Sequence, residues 1–332
     1  MATLSVVNPT LVDLAKVTDP DGSIADVVEI LNATNEILLD MSWMEGNLTT
    51  GHRSSIRSGL PTPTWRKLYG GVQPTKSRAV QVTDNCGMME DYAEVDAALV
   101  GMAGDPAAFR LQEDRPHIEG MNQEFAATLF YGDESTAPEE FTGLAPRYNS
   151  LTAANGDNII AGGGSGSDNA SIWLICWSPQ TIHGIIPKGS KAGIQQRDLG
   201  EVTIEDADGS NGRMQAFRTH YRWDVGLTVR DWRYAVRIAN IDRSALLVTA
   251  ATGADLNDLM HQAWTELPST SVGRCSWYMD KSILSMLRRQ TANAVSSSTL
   301  SVDLVGGTMQ TSWGGIPIRR CDALRPDEAT VS

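Results

Sequence analysis

The apolar positions of this chain recur with two periods, one near 3.6 residues and one of 2, and the switches between them lay out its elements. Residues 1–22 hold Pro9, Pro20 and Gly22 and predict an extended tail. Ile24, Val27, Val28, Leu31, Leu38 and Met41 then follow a Ser23/Asp26 capping box at helical spacing, which predicts a helix ending near Trp43 and Gly46. Ser54 to Leu60 and Arg78 to Thr83 suit two strands of a long hairpin, with the Pro- and Gly-rich piece from Pro61 to Pro74 as its tip. Tyr92, Val95, Leu99 and Met102 predict a short helix. Asp105 before Pro106 supplies an N-cap and a first-turn proline. Behind them Leu111, Ile118, Met121, Phe125 and Leu129 keep one face apolar, so the longest helix spans 105–131. Pro116 is expected to kink it or mark a second start.

Leu129 to Asp133 leads into a polar loop that closes at Phe141 to Leu144, and Ala161 to Asp168 (AGGGSGSD) reads as a flexible connection. Ser171 to Trp177 is a buried strand with Thr181 to Ile186 returning, and Asp206 to Gly212 is a hairpin turn. Phe217, Tyr221, Trp223, Val225, Leu227 and Val229 share one parity, while Trp232, Tyr234, Val236 and Ile238 share the other. The slip at Arg230–Asp231 requires a turn or bulge. Arg218, Arg222, Arg233 and Arg237 fit either a solvated face snorkelling over its own aromatics or a contact with acids of a neighbouring copy. The second is preferred, since the acids of this chain need cations. Leu256, Leu259, Met260, Ala263, Trp264 and Leu267 trace a helix stopped by Pro268. Arg274 to Met279 is a strand, and Asp280 caps a helix through Leu284 and Leu287 that ends in Arg288–Arg289. Ala294 to Ser301 reads as a mobile loop before two short strands, after which Gly315 to Arg320 returns to the body.

Charge adds a boundary that hydropathy does not. From Gly46 to Thr83 there are six bases (Arg53, Arg57, Arg66, Lys67, Lys76, Arg78) and no acid, whereas Asp84 to Glu140 holds fourteen acids against Arg110 and Arg115. A basic arm beside an acidic helical body fits self-association, with the arm of one copy on the body of the next. It fits equally two solvated surfaces of one monomer. On the first reading Arg53, Arg57, Trp65, Arg66, Lys67, Lys76 and Arg78 meet Glu90, Glu94, Glu113, Glu119 and Glu124 of a neighbour, with Trp65 as the apolar anchor.

The net charge of -13 argues against sequence-specific nucleic-acid binding, which needs a clustered basic surface, although non-specific proximity to DNA is compatible with it. At 332 residues about two domains are expected. With no secretory leader and no apolar run of membrane length, a soluble protein made in the cytoplasm is expected. The sequons at Asn32, Asn47 and Asn169 then carry no meaning. Cys86, Cys176, Cys275 and Cys321 are widely spaced and read as reduced structural thiols. Neither Ala161–Asp168 nor Pro187–Lys191 completes a phosphate loop, and Asp206–Gly212 lacks the later positions of a calcium loop. His52, His117, His183, His220 and His261 fall in a loop, two helices and two strands without a hydrolase or zinc motif, so no catalytic, cofactor or metal site is assigned.

In this order the pieces resemble the major capsid proteins of tailed bacteriophages, an α+β fold named after the phage Hong Kong ninety-seven. LFYGDESTAPEEFTGLAPRYN (Leu129 to Asn149) and RCSWYMDKSILSMLRRQ followed by GGIPIRRCDAL carry most of the likeness. TLVDLAK, SWMEGNLTTGHR, TWRKL and VRDWRYAVRIANID are similar to capsid proteins of short-tailed phages related to epsilon-fifteen. The resemblance implies an N-terminal arm and helix over 1–45, an extended loop over 46–83 and a peripheral domain over 84–243 with its spine helix at 105–131. It further implies an axial domain over 244–315 and a return strand over 316–332. Many members place such long aromatic strands after a Gly-Leu-Pro turn; here Met214 to Ile241 precede the axial helices. The implied function is self-assembly of pentamers and hexamers into an icosahedral shell around double-stranded DNA in the virion, assembled in the bacterial host cytoplasm. The implied partners are a separate scaffolding protein, a portal and a decoration or cement protein. Some members cross-link a loop lysine to a neighbour's asparagine; Lys67 and Lys76 lie in the right segment without a motif for that reaction. The alternatives are an encapsulin-like nanocompartment shell and, outside the class, a cytoplasmic α+β enzyme.

Overall fold

The structure, a computed structural model, describes residues 35–103, 105–205, 212–248, 253–293, 300–305 and 308–332. In chain order its elements are α1 (Ile37–Asp40), β1 (Trp43–Glu45), β2 (Gly51–Gly59), β3 (Arg78–Asp96), α2 (Ala97–Met102), α3 (Pro106–Tyr131), α4 (Leu144–Arg147), β4 (Ile159–Ala161), β5 (Asn169–Trp177) and β6 (Ile182–Ile186). They continue with β7 (Gln195–Glu205), β8 (Arg213–Val229), β9 (Ala235–Asp242), α5 (Leu256–Glu266), β10 (Arg274–Met279), α6 (Lys281–Asn293), β11 (Leu300–Val305), β12 (Thr308–Trp313) and β13 (Ile316–Arg320). They group into two compact units. Among the described residues the first takes those within Met88–Phe125 and Lys191–Asp224, and the second those within 35–87, Ala126–Ser190 and Val225–Ser332.

In the first unit β7 and β8 pair antiparallel from Gln195↔Arg222 to Glu205↔Arg213. The register shifts between Asp198 and Glu201, where Gly200 takes φ +72°. The predicted turn between these strands lies outside the described residues except for Gly212. Asp105 caps α3 as expected, its Oδ1 accepting from the Ala107 and Ala108 N–H groups at 3.1 Å. The helix runs through Pro116 without a second start. Its buried face begins at Phe109, not at Leu111, which is exposed. Phe109 joins Val95, Leu99 and Val100 in a small core with Phe217, and Phe125 packs on Trp223 with centroids 4.6 Å apart.

The acidic stretch after Asp84 was expected to be helical, and Asp84 to Asp96 is strand instead. Ala93 and Val95 are buried while Glu90 and Tyr92 are exposed, a period of 2. The helical spacing of Tyr92, Val95, Leu99 and Met102 straddles the end of this strand and the start of α2, which Asp96 caps by accepting from the Ala98 N–H at 2.7 Å.

The second unit is built on β5, all nine of whose residues are buried. It lies antiparallel between β9 and β10, and β10 continues the sheet through β13 to β12 and β11. Ile172, Leu174 and Cys176 of β5 face a core shared with Val236 and Ile238 of β9, Trp277 of β10, Leu256 and Met260 of α5, and Ile283 and Leu287 of α6. Strands on either side of residue 243 therefore share one interior. Trp173, on the opposite face of β5, meets Tyr148 edge-on at 5.6 Å. The Arg237 guanidinium lies 5.3 Å from the Trp173 ring centre.

Several expectations are corrected here. The first predicted helix survives among the described residues only as α1, followed by strand β1; its part before Asn35 lies outside them. β1 pairs parallel with β6, and a Cβ on Gly184 would come 2.6 Å from the Trp43 ring, so the sheet needs glycine there. Trp264 is half-exposed, and α6 continues past Arg289 to Asn293. Gly162 and Gly164 donate to the carbonyls of Ala239 and Asn240, both at 2.7 Å, so the glycine run is strung along β9 and is not a free linker. Cys176 and Cys275 are joined in a disulfide, because antiparallel β5 and β10 set them directly opposite each other. Cys86 and Cys321 stand outside it. Of the loop predicted over 294–301, residues 294–299 lie outside the described ones and Leu300 begins β11.

Candidate assembly interface

β2 and β3 form the predicted hairpin, in register from Gly51↔Asn85 to Gly59↔Arg78 with a bulge between Arg57 and Gly59. Its foot is fixed by short-range chemistry. A Cβ on Gly51 would meet the Asp84 carbonyl oxygen at 2.1 Å, so only glycine lets the strands close there. Asn47 then binds Arg53 twice, its Oδ1 accepting from the Arg53 N–H and its Nδ2 donating to the Arg53 carbonyl, both at 2.7 Å. From Pro61 through the first residues of β3 to Val80 the chain is an unbroken exposed run.

At the tip Gly70 N–H donates to the Lys67 carbonyl at 3.1 Å across a turn that puts Tyr69 at φ +61°. A left-handed bulky residue is uncommon and strained. This turn holds Tyr69 wholly in solvent at 104% exposure, beside Trp65 at 100% and Leu68 at 86%. Leu60, at 76%, is exposed with them; of these four apolar residues only Trp65 was singled out from the sequence. The signal for Tyr69 was an aromatic immediately before the Gly70–Gly71 pair. Arg53 donates to Thr83 Oγ1 at 3.2 Å. Among the described residues none of Arg53, Arg57, Arg66, Lys67, Lys76 and Arg78 forms an ion pair.

The acids assigned to a neighbour divide into two sets. Glu90 lies 3.3 Å from His220 and 3.6 Å from Arg222, and Glu94 accepts from Arg218 Nε at 2.6 Å. These two already have cations of their own chain. Glu119 accepts from Gln123 at 3.0 Å, and Glu124 is exposed; neither has a cation beside it among the described residues. Glu113 lies half-buried on α3, ahead of both. Burial holds the neighbouring Asp114 carboxyl above its ordinary range, against hydrogen bonds from Tyr221 and Thr219.

The four arginines set aside for a neighbour are likewise paired within the chain. Arg218 takes Glu94, Arg222 takes Asp224 at 2.9 Å, and Arg233 takes Asp231 at 2.7 Å. Arg237 takes Glu328 at 2.7 Å with both side chains buried, and it also donates to the Tyr148 carbonyl at 2.7 Å and Ser171 Oγ at 3.1 Å. Tyr131 OH completes the site by donating to Glu328 at 2.5 Å. The reason is topological: the acids come from β3 (Glu94), from β8 (Asp224) and the turn after it (Asp231), and from the last residues of the chain (Glu328), not from a second copy.

His52, expected in a loop, lies on β2, and its ring meets that of His183 on β6 edge-on at 5.8 Å. Among the described residues no cluster of His, Cys, Asp and Glu suits a metal, and no helix is long and apolar enough to cross a membrane.

Residues 19–332 match the family model for "Major capsid protein GP7". A chain in the near-atomic structure of bacteriophage Epsilon15 is 38% identical, with full coverage of both chains and a TM-score of 0.77. The capsid of bacteriophage JBD30 aligns over 96% of this chain and 99% of its own at 10% identity and TM-score 0.40. The SrpI encapsulin of Synechococcus elongatus PCC 7942 aligns over 71% of this chain and 97% of its own at 8% identity and TM-score 0.45. No protein with a curated description matches. A mixed helix and sheet fold, carrying an uncovered basic hairpin and matched end to end by an Epsilon15 chain, belongs to the major capsid protein family of tailed bacteriophages.

Proposed function

We propose that the chain closes into an icosahedral shell of pentamers and hexamers around double-stranded DNA, each copy laying residues 46–83 on a neighbour. The observation that carries this is the exposed run from Pro61 to Val80, with Trp65 and Tyr69 in solvent and its bases without an ion pair among the described residues. Such a segment leaves apolar surface in water that another copy can cover. Burying one Trp ring of about 200 Å² stabilises by roughly 5 kcal/mol before ordering costs. One exposed ion pair contributes only about 0.2–1 kcal/mol. Trp65 therefore supplies strength, while Arg53, Arg57, Arg66, Lys67, Lys76 and Arg78 set register against acids such as Glu113, Glu119 and Glu124.

In this arrangement residues 46–83 are the extended loop and 105–131 the spine of the peripheral domain. A scaffolding protein, a portal and a decoration protein complete the particle, packaged DNA is met without sequence preference, and no catalysis is assigned. The test is Arg66→Glu with Lys67→Glu. Subunits should fold normally by circular dichroism yet fail to form regular shells by electron microscopy. Normal shells at low ionic strength, where screening is weakest, would sink the arm-on-neighbour arrangement.

A further inference from the structure

At the foot of the hairpin, where β2 and β3 meet β6 and the end of β8, polar atoms gather without close hydrogen-bond partners among the described residues. They are both ring nitrogens of His183, Nδ1 of His52, the hydroxyls of Ser54 and Thr228, and Oδ2 of Asp84. Strand register brings them together: β6 sets His183 opposite Thr228, and β2 sets His52 opposite Asp84. His183 is wholly buried and His52 half-buried.

The charges facing this pair are few. Arg230, just past β8, repels a proton on either ring, and Asp84 of β3 favours one on His52. The other oxygen of Asp84 is taken by Arg147 at 2.8 Å. From β1 the Trp43 ring covers Gly184 and offers no counter-charge, and the Ser178 backbone favours a proton on His183 as the last of its influences. One carboxylate already holding an arginine faces two imidazoles and a second arginine.

We propose that His52 and His183 form a proton-sensitive seat for the extended hairpin. Uncharged, the rings pack edge to face and hold β2 against β6. Charged, two imidazoliums 5.8 Å apart beside Arg230 push the foot of the hairpin off the sheet, because a buried charge without a partner is expelled toward water. Burial first, then His52 and Arg230, lowers the His183 pKa from 6.5 to about 4, and burial first lowers that of His52. The seated form thus binds fewer protons than the released form. Its hold is complete above pH 6.5 and is lost as the pH falls from there toward about 4.

Hydrogen exchange of the full-length unassembled subunit, corrected for the intrinsic pH dependence of exchange, tests this. Between pH 7 and 4.5 the amides of Gly51–Ile56 and Ile182–Ile186 should lose at least about tenfold protection, while those of β5 keep theirs. His183→Phe, aromatic and untitratable, should reduce the change to less than about twofold. The seat is overturned if His183→Phe follows the wild-type profile, if foot and β5 loosen together, or if wild-type protection stays flat to pH 4.5. Should His183→Phe not fold, His52→Phe applies the same criterion at the half-buried partner. The seat lies within one copy, so it stands or falls separately from the arm-on-neighbour arrangement.

Discussion

Asn240 and Val331 bind each other twice, the Val331 N–H donating to Asn240 Oδ1 and Asn240 Nδ2 donating to the Val331 carbonyl, each at 2.8 Å. Asn240 does so from a left-handed backbone, φ +57°, which asparagine tolerates better than most residues. Asn240→Ala should lower subunit stability by about 3 kcal/mol, from two lost hydrogen bonds and a strained alanine. Asn240→Gly should lose about 1 kcal/mol less, since glycine accepts that conformation. Urea unfolding of both variants checks this; equal losses would remove backbone strain from the explanation.

Arg237 and Glu328 are a buried pair whose oxygens are shared with Ser171 and Tyr131. Arg237→Met should cost about 3–5 kcal/mol, because it strands a carboxylate in the interior. Adding Glu328→Leu should recover part of that loss. A double-mutant cycle on thermal or urea unfolding reads the coupling, and strictly additive losses would contradict it.

Among the described residues nothing covers Trp65, which is fully exposed. Trp65→Ala should therefore leave subunit unfolding within about 0.5 kcal/mol of the parent. Shells made from it should dissociate at lower denaturant at every salt concentration, because the lost contact is apolar and unscreened. A destabilised free subunit would show that Trp65 serves its own fold.

The Cys176–Cys275 bond gives a direct chemical count. Denatured without reductant, the subunit should expose two reactive thiols, Cys86 and Cys321, and four after reduction. Four thiols before reduction would return all the cysteines to the reduced state expected from their spacing.

Sequence period recovered the elements whose signal is local. The β2–β3 hairpin, the Asp105 cap of α3 and the slip at Arg230–Asp231, where a single helical turn over Trp232–Tyr234 separates β8 from β9, were all legible. Features made by register between distant strands were not. Cys176 finds Cys275 across 99 residues, and Arg237 finds Glu328 across 91. Nothing near His52 in the chain points to His183. The acidic stretch after Asp84 misled because its carboxylates hid an alternation that pairing with other strands enforces. In the arm, composition disclosed the basic face and Trp65, while the left-handed turn that lifts Tyr69 into solvent has no sequence marker beyond its glycine neighbours.

The bare stretch from Pro61 to Val80 is present on every copy. If each is to be covered by a neighbour, an open sheet of copies carries uncovered stretches only along its rim, and a closed surface carries none. The penalty then grows with perimeter and not with area, as line tension does in a film. A growing shell would be driven to shorten its edge, and curvature that brings the rim to zero would be favoured without any single contact having to be strong.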